Sequence, residues 1–179
     1  MDGVNGGDPP TEERPEFDEL TPVLPKRRVP LGDSEDVLTR AVDLLAPLLL
    51  GQRVLVMAAP RSGRTTLLRA IARGLGPQEG LEVIVLLVDE RPEEVTAWRE
   101  AVPDAQIASA PADLAPGEQV RVATLALERG RRLAESGRDV VLIVDSLSRL
   151  AVAASSAAGG GSAGEVAEVK RLFGSGREL

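Results

Sequence analysis

The sequence predicts an α/β protein in which a mostly parallel sheet is flanked by helices. From residue 54 onward, short runs rich in β-branched residues alternate with amphipathic stretches, the order expected of parallel strands joined by crossover helices. Two of these runs, residues 83–88 and 140–144, are continuously apolar, as strands buried on both faces must be. A buried helix is the alternative for an apolar run of this kind.

The elements are expected in the following order. Residues 1–16 are acidic and broken by Gly and Pro, which predicts a disordered tail, so that residues 17–179 form the folded part. Ser34, with Glu35 and Asp36 in the first turn, begins a helix that ends at Pro47. Strands are then predicted at 54–58, 83–88, 105–109 and 140–144, and helices at 65–75, 92–101 and 118–135. Residues 151–164 are small and uncharged, which indicates a flexible connection, and 165–173 predict one more helix.

Composition limits the classes of function. The 179 residues, 43% of them hydrophobic, suffice for one buried core. Most of the net charge of −7 lies in the first 20 residues, which hold seven acidic side chains and one basic, so whole-chain charge neither favours nor excludes a nucleic-acid partner. Cys and His are absent, which excludes disulfides, thiolate metal sites and imidazole acid–base chemistry. Catalysis would have to use carboxylates, Arg or Lys, and backbone amides.

No segment favours a membrane or a secretory route. The longest apolar run, residues 44–50, contains Pro47 and is far shorter than the ~20 residues that span a bilayer. The acidic start of the chain is unlike a secretory signal, whose charged region is basic. We therefore expect a cytoplasmic protein with no membrane partner.

Residues 54–66, VLVMAAPRSGRTT, have the strand, loop and helix order of a phosphate-binding loop. They depart from the pattern G-x-x-x-x-G-K-[ST] at Ala58 and Arg64, and keep it at Gly63 and Thr65. Such a loop binds anions through backbone N–H groups at a helix N-terminus, and a hydroxyl at Thr65 would ligate Mg²⁺. An ordinary strand-to-helix turn is the alternative. The residues predicted to bind the cofactor here are Ala59, Pro60, Arg61, Ser62, Gly63, Arg64, Thr65 and Thr66.

Carboxylates follow both apolar runs. Asp145 ends the run at 140–144, which would place an acid beside Mg²⁺ at the carboxyl edge of the sheet; a helix cap is the alternative. Glu90 follows the run at 83–88 and is placed to polarise a water molecule. Glu93 and Glu94 fit the first turn of the next helix. A solvated helix start is the alternative for this acidic group.

Three blocks of sequence, AAPRSGRT, LLVDERPEEVTAW and VVLIVDSLSRLA, resemble the motor domain of the Rho transcription termination factors. FDELTP, LLLGQR and VKRLFGSGRE also match this family in order and spacing. The resemblance extends over about residues 14–179, and DERPEEVT is its most specific part. It implies a RecA-like P-loop NTPase fold, of which 17–179 would be a partial ATP-binding domain truncated before the later core strands.

The resemblance implies a homo-oligomer, a hexameric ring that binds nascent RNA, acts on RNA polymerase and uses ATP with Mg²⁺ to translocate and release transcripts. Thr65 and Asp145 would serve the metal, and Gly63 and Arg64 would hold phosphates. Glu90 would activate the attacking water, so Glu90 and Arg64 are the expected catalytic residues. Arg91 and Arg149 would lie near the nucleotide or a subunit interface.

The sequence departs from the family in three places. Only the acidic tail stands where the family has an RNA-binding domain. The stretch AASSAAGGGSAG, where the family has an RNA-contacting loop with a Lys, carries no positive charge, although phosphate contacts dominate RNA affinity. The arginine finger and the adenine-stacking aromatic would lie beyond Leu179. We therefore expect this chain alone to be inactive. We also expect a four-stranded sheet in the order 54–58, 140–144, 105–109, 83–88.

Several functions stay open at this point. The first is a Rho-type RNA-dependent ATPase and helicase in partial form. The second is a non-hydrolysing nucleotide-binding paralogue, or a fragment, that associates with Rho-type subunits. A DNA recombinase or rotary ATPase subunit is a third, which DERPEEVT opposes, and a fragment without function is the fourth.

Overall fold

A computed structural model describes residues 15–31, 36–76 and 78–159, together with the single positions 167, 170, 174 and 176. A 3₁₀ turn at Phe17–Glu19 comes first. The α-helices are α1 Val37–Leu45, α2 Arg64–Leu75, α3 Pro92–Ala101, α4 Pro116–Glu135 and α5 Leu147–Ala157. The strands are β1 Arg28–Val29, β2 Leu48–Leu49, β3 Leu81–Glu90, β4 Gln106–Pro111 and β5 Asp139–Asp145.

The main sheet of the described residues has three parallel strands in the order β4, β3, β5. The predicted parallel sheet is present, but its predicted order is wrong. Residues 83–88 form the centre of the sheet and not an edge, and β4 lies at the edge instead of beside β5. The burial of β3 explains its position, since its residues 83–88 are all at most 2% exposed and a continuously apolar strand needs cover on both faces.

The strand predicted at 54–58 is not formed. This segment makes no ladder with any described strand, and Val54, Leu55 and Met57 are 50%, 56% and 85% exposed. A cavity of about 590 Å³ is lined both by residues 53–56 and by the open edge of β5 at residues 140–144. An apolar, β-branched sequence favours a strand only where a partner pairs with it, and here the chain runs past the edge of β5 without pairing.

Helices α2, α3 and α4 lie where the sequence predicts them. Helix α3 matches its predicted bounds because Pro92 occupies the first turn together with Glu93 and Glu94, where proline and acidic residues are both favourable. Among the described residues, no helix is long and apolar enough to cross a membrane.

Three boundaries differ from expectation or fall outside the described residues. Helix α1 is capped by Asp36, whose side chain accepts from the backbone N–H of Leu38 at 2.9 Å; the predicted cap at Ser34 is outside the described residues. The flexible connection predicted at 151–164 is wrong for 151–157, which belong to α5, because alanine is the best helix former. Residues 1–14 of the predicted tail, and most of the helix predicted at 165–173, are outside the described residues.

Two apolar clusters hold the sheet between its helices. One face of β3 packs against α2 and α3, where Trp98 is fully buried. The other face packs against α4 and α5 through Leu86, Ala123 and Leu150. Because β3 and β5 are parallel and directly paired, their carboxyl ends lie side by side. The N-terminus of α2 adjoins them, since Thr65 contacts Asp145. The candidate site lies at this edge.

Replacing Leu86 by alanine should destabilise the fold. Leu86 is fully buried in the centre of β3, so we expect a loss of about 2–5 kcal/mol in the free energy of unfolding. Urea denaturation followed by circular dichroism measures this loss. The control is Leu125→Ala on α4, since Leu125 is 59% exposed and should change stability by no more than about 0.5 kcal/mol. Equal effects of the two substitutions would contradict the placement of β3.

Candidate functional site

The loop before α2 is an open turn. The backbone N–H and hydroxyl of Ser62 donate to the carbonyl of Ala59 at 3.2 Å and 2.7 Å. Gly63 has a φ of 88°, a left-handed conformation that glycine adopts without strain. Gly63 gives α2 no side-chain cap, so the helix begins with free N–H groups beside an exposed loop. Such a helix end is a ready site for an anion.

Asp145 lies at the end of β5 and its side chain is completely buried. The hydroxyl of Thr65 donates to its Oδ2 at 2.9 Å. The guanidinium of Arg64 forms an ion pair with the other oxygen, with 3.5 Å between Nη2 and Oδ1. The structure thus brings together Thr65 and Asp145, the pair predicted to serve a metal, although 80 positions separate them in the chain.

The oxygens of this pair are of the kind that binds Mg²⁺, but Arg64 already places a positive charge at one of them. Asp145 Oδ1 is buried and accepts no hydrogen bond from the described residues, and a buried acceptor of this kind needs a cation or a donor. Carboxylate and hydroxyl oxygens are the donors that Mg²⁺ prefers, usually one or two from the protein with phosphates and water supplying the rest. The described residues contain no group of three or more acidic side chains that could hold a metal by themselves.

Glu90 lies at a β-bulge next to the site. The register between β3 and β4 shifts between Val88 and Glu90, and Asp89 between them has a φ of 56°. Bulges are common next to active sites because they redirect a side chain. Glu90 is buried, at 8% exposed, and its carboxylate forms a close ion pair with Arg149.

Arg149 is positioned by the start of α5. Ser146 caps this helix by accepting from the backbone N–H of Arg149 at 3.4 Å. The guanidinium then reaches across to Glu90 and also donates to the carbonyl of Val88 at 3.4 Å. The family resemblance implied that Arg149 lies near the nucleotide or a subunit interface, and its pairing with Glu90 was not predicted. No local pattern signals a contact between residues 59 positions apart.

Burial raises the pKa of Glu90 above its ordinary value of 4.5. The carboxylates of Asp145 and Glu94 act in the same direction, while the guanidinium of Arg149 and its hydrogen bond oppose the rise. Desolvation, which disfavours the ionised form, outweighs the attraction of Arg149, which favours it. A carboxyl with a raised pKa is a better proton acceptor once it is ionised.

The other predicted residues lie around this centre. The loop residues Ala59, Pro60, Arg61, Ser62 and Gly63 are exposed, as is Thr66. Arg91 is exposed at the N-cap of α3.

Helix α3 is tied to α2 by a contact that the sequence did not predict. Glu94 pairs with Arg69 at 2.5 Å, and the guanidinium of Arg69 lies 5.3 Å from the ring centre of Trp98. Glu93 and Glu94 are confirmed as acids of the first turn of α3.

Comparisons with known proteins show the family to which the chain belongs. The family model of the ATP synthase alpha/beta family, nucleotide-binding domain, matches residues 39–167. Transcription termination factor Rho of Rhodopirellula baltica is 38% identical over 193 residues, which cover 100% of this chain and 38% of that protein. Rho of Thermotoga maritima is 46% identical over 141 residues, covering 78% of this chain and 33% of its own length. The chain therefore spans well under half the length of these relatives.

Solved structures share the fold. An ATPase from the type III secretion system of pathogenic bacteria aligns with a TM-score of 0.72 at 21% identity, covering 89% of this chain and 49% of that one. The ATP synthase subunit NeqB from Nanoarcheaum equitans aligns with a TM-score of 0.71 at 19% identity, covering 98% of this chain and 46% of that one. The predicted RecA-like α/β fold is thereby confirmed.

Glu90 should make the stability of the chain depend on pH. Because its pKa is raised in the folded state, the folded chain binds a proton that the unfolded chain has lost between pH 4.5 and the raised value. Stability should therefore fall as pH rises through this interval. Glu90→Gln, which cannot ionise, should lose this part of the slope in urea unfolding curves measured across the interval.

A second variant tests the role of Arg149. In Arg149→Gln the cation that lowers the pKa of Glu90 is gone, so the pH-dependent loss of stability should continue to higher pH than in the parent chain. Parallel pH profiles for the parent and Glu90→Gln would show that the pKa of Glu90 is not raised.

Proposed function

The chain belongs to the ATP synthase alpha/beta nucleotide-binding family and is similar within it to transcription termination factors Rho, and from this we propose that it is the ATP-binding part of a Rho-type terminator. One observation carries the proposal. Thr65 and Arg64, at the start of α2, meet the buried Asp145 at the end of β5, so a phosphate-binding loop and an acid that can serve Mg²⁺ adjoin.

The loop would hold the phosphates of ATP. The free N–H groups at the start of α2 donate to phosphate oxygens, and the dipole of α2 favours their negative charge. Arg61 and Arg64 add two positive charges beside the same loop. Thr65 and Asp145 would hold Mg²⁺ once Arg64 leaves Oδ1, and the metal supplies positive charge to the phosphates when it is bound.

Glu90 would orient and deprotonate the attacking water. It lies at the end of β3, close enough to Asp145 for their charges to interact, and its raised pKa suits a proton acceptor. Arg149 now pairs with Glu90. Hydrolysis therefore requires this ion pair to open, and release of Arg149 towards the phosphates would free Glu90 and bring a positive charge to the nucleotide.

The remaining properties follow from the relatives and are part of the proposal. The complete protein would be a cytoplasmic homo-oligomer, a ring of six subunits, that binds RNA, acts on RNA polymerase and couples ATP hydrolysis to helicase activity. Arg91, exposed beside Glu90, would contact the nucleotide or the neighbouring subunit.

A non-hydrolysing nucleotide-binding protein that associates with Rho-type subunits is the second candidate. The pairing of both functional acids with arginines favours it, because Asp145 is held by Arg64 and Glu90 by Arg149. Phosphate release measured with and without RNA tests whether this chain hydrolyses ATP without further subunits. We expect no RNA-stimulated hydrolysis from the 179-residue chain alone. Robust release that disappears in Glu90→Gln would contradict this expectation and favour the first candidate without further subunits.

Arg64→Lys should tighten the binding of ATP in the presence of Mg²⁺. A lysine ammonium is a compact point charge that can reach the phosphates without the bulk of the planar guanidinium. The gain should be about that of one charge-assisted hydrogen bond, roughly tenfold in Kd, measured by isothermal titration calorimetry.

Arg73→Lys is the matched control, because Arg73 lies in the last turn of the same helix and is 58% exposed. It should leave Kd unchanged. Absence of ATP binding by both the parent chain and Arg64→Lys would contradict the proposed function.

A further inference from the structure

Arg64 already places a cation on Asp145. Its Nη2 lies 3.5 Å from Oδ1, while Oδ2 is taken by the hydroxyl of Thr65. The side chain of Arg64 is 32% exposed and that of Asp145 is 0% exposed. Within the described residues, no other cationic side chain pairs with this carboxylate.

The contact is an ion pair without a hydrogen bond. Neither Asp145 Oδ1 nor Arg64 Nε, both buried, has a hydrogen-bond partner among the described residues. Charge therefore holds Arg64 at Oδ1, and a buried carboxylate needs such a charge because desolvation without one is costly. A guanidinium suits this role better than an ammonium, since it is weakly hydrated and remains ionised.

The same oxygen is where a divalent cation would bind. A Mg²⁺ ion on Oδ1 would stand within a few ångströms of the guanidinium, where like charges repel strongly away from bulk water. Arg64 has already neutralised the carboxylate, so the attraction between Mg²⁺ and Asp145 would be weaker. This weaker attraction would have to offset the loss of hydration water, which Mg²⁺ gives up reluctantly.

We propose that the guanidinium of Arg64 takes the place of the divalent cation at Asp145, so that this chain binds a nucleoside triphosphate with little dependence on Mg²⁺. The inference rests on the proposed function, in that the loop at residues 59–65 is taken to bind the triphosphate. It goes beyond the proposed function because Arg64 would neutralise Asp145 in addition to contacting the phosphates. Thr65 keeps its hydrogen bond to Oδ2 throughout and so positions the carboxylate.

The first experiment compares the Kd of a fluorescent ATP analogue in excess Mg²⁺ with that in EDTA. For the parent chain the two values should agree within about threefold. For Arg64→Ala they should differ by about tenfold or more, because Oδ1 becomes available to the metal. Arg64→Ala also loses the contact of Arg64 with the phosphates, but this loss weakens binding in both buffers and cancels in the ratio of the two Kd values. Asp145→Asn combined with Arg64→Ala should abolish the difference.

A parent chain whose affinity falls tenfold or more in EDTA would overturn the inference. Equal ratios in the parent and in Arg64→Ala would overturn it as well, since Arg64 would then not be the group that replaces the metal. Circular dichroism of each variant confirms that the fold is kept.

The second experiment needs no nucleotide and therefore separates this inference from the proposed function. Binding of Mn²⁺ to the free chain is followed by electron paramagnetic resonance at millimolar Mn²⁺, because one carboxylate and one hydroxyl make a weak site when no phosphate is present. The parent should bind no more Mn²⁺ than Asp145→Asn, whereas Arg64→Ala should gain one site that Asp145→Asn removes. Mn²⁺ bound by the parent at Asp145, or no gain in Arg64→Ala, would overturn the inference. If no analogue binds in either buffer but Mn²⁺ behaves as expected, the proposed function fails and the role of Arg64 stands.

Discussion

The buried carboxylate of Asp145 is the constraint on which the site depends. It stands at the end of β5 with no exposed surface, and a carboxylate in that position must find donors or a cation within the protein. The first turn of α2 supplies both, through the hydroxyl of Thr65 and the guanidinium of Arg64. The phosphate-binding end of α2 is thereby held against the sheet, although the strand expected to lead into it does not pair with β5.

Each functional acid is paired with an arginine from a neighbouring helix. Arg64 from α2 holds Asp145, and Arg149 from α5 holds Glu90. The two carboxylates are buried while the arginines are partly exposed, so removing either arginine leaves an uncompensated buried charge, which is costly. The phosphates of a nucleotide can replace the carboxylate of Glu90 as the partner of Arg149, since they offer more negative charge to the same guanidinium group. Nucleotide binding and the release of Glu90 for catalysis are thus expected to be coupled through Arg149.

Local chemistry explains which elements the sequence predicted well. Helix α3 was predicted to the residue because Pro92 and two acids mark its first turn, and β3 was predicted because its apolar run needs cover on both faces. Thr65 and Asp145 were each predicted to serve Mg²⁺, Thr65 from the loop pattern and Asp145 as the acid that ends an apolar strand, and the two residues lie together. The order of strands failed because it depends on contacts distant in sequence, and 54–58 failed because a strand requires a partner. Residues 151–157 form part of α5 and not a linker, because the high helix propensity of their alanines outweighs their lack of charge and bulk.

The pairing of Arg149 with Glu90 could not have been read from the sequence, because a bulge at Asp89 and a cap at Ser146 together set its geometry. Both features depend on the folded sheet edge.

The central claim, that ATP binds between the loop before α2 and the end of β5, is tested most directly by amide hydrogen exchange with and without ATP. ATP bound there should slow exchange at the backbone amides of residues 61–66 and around Asp145. Unchanged exchange there at saturating ATP, or protection confined to another part of the chain, would contradict it.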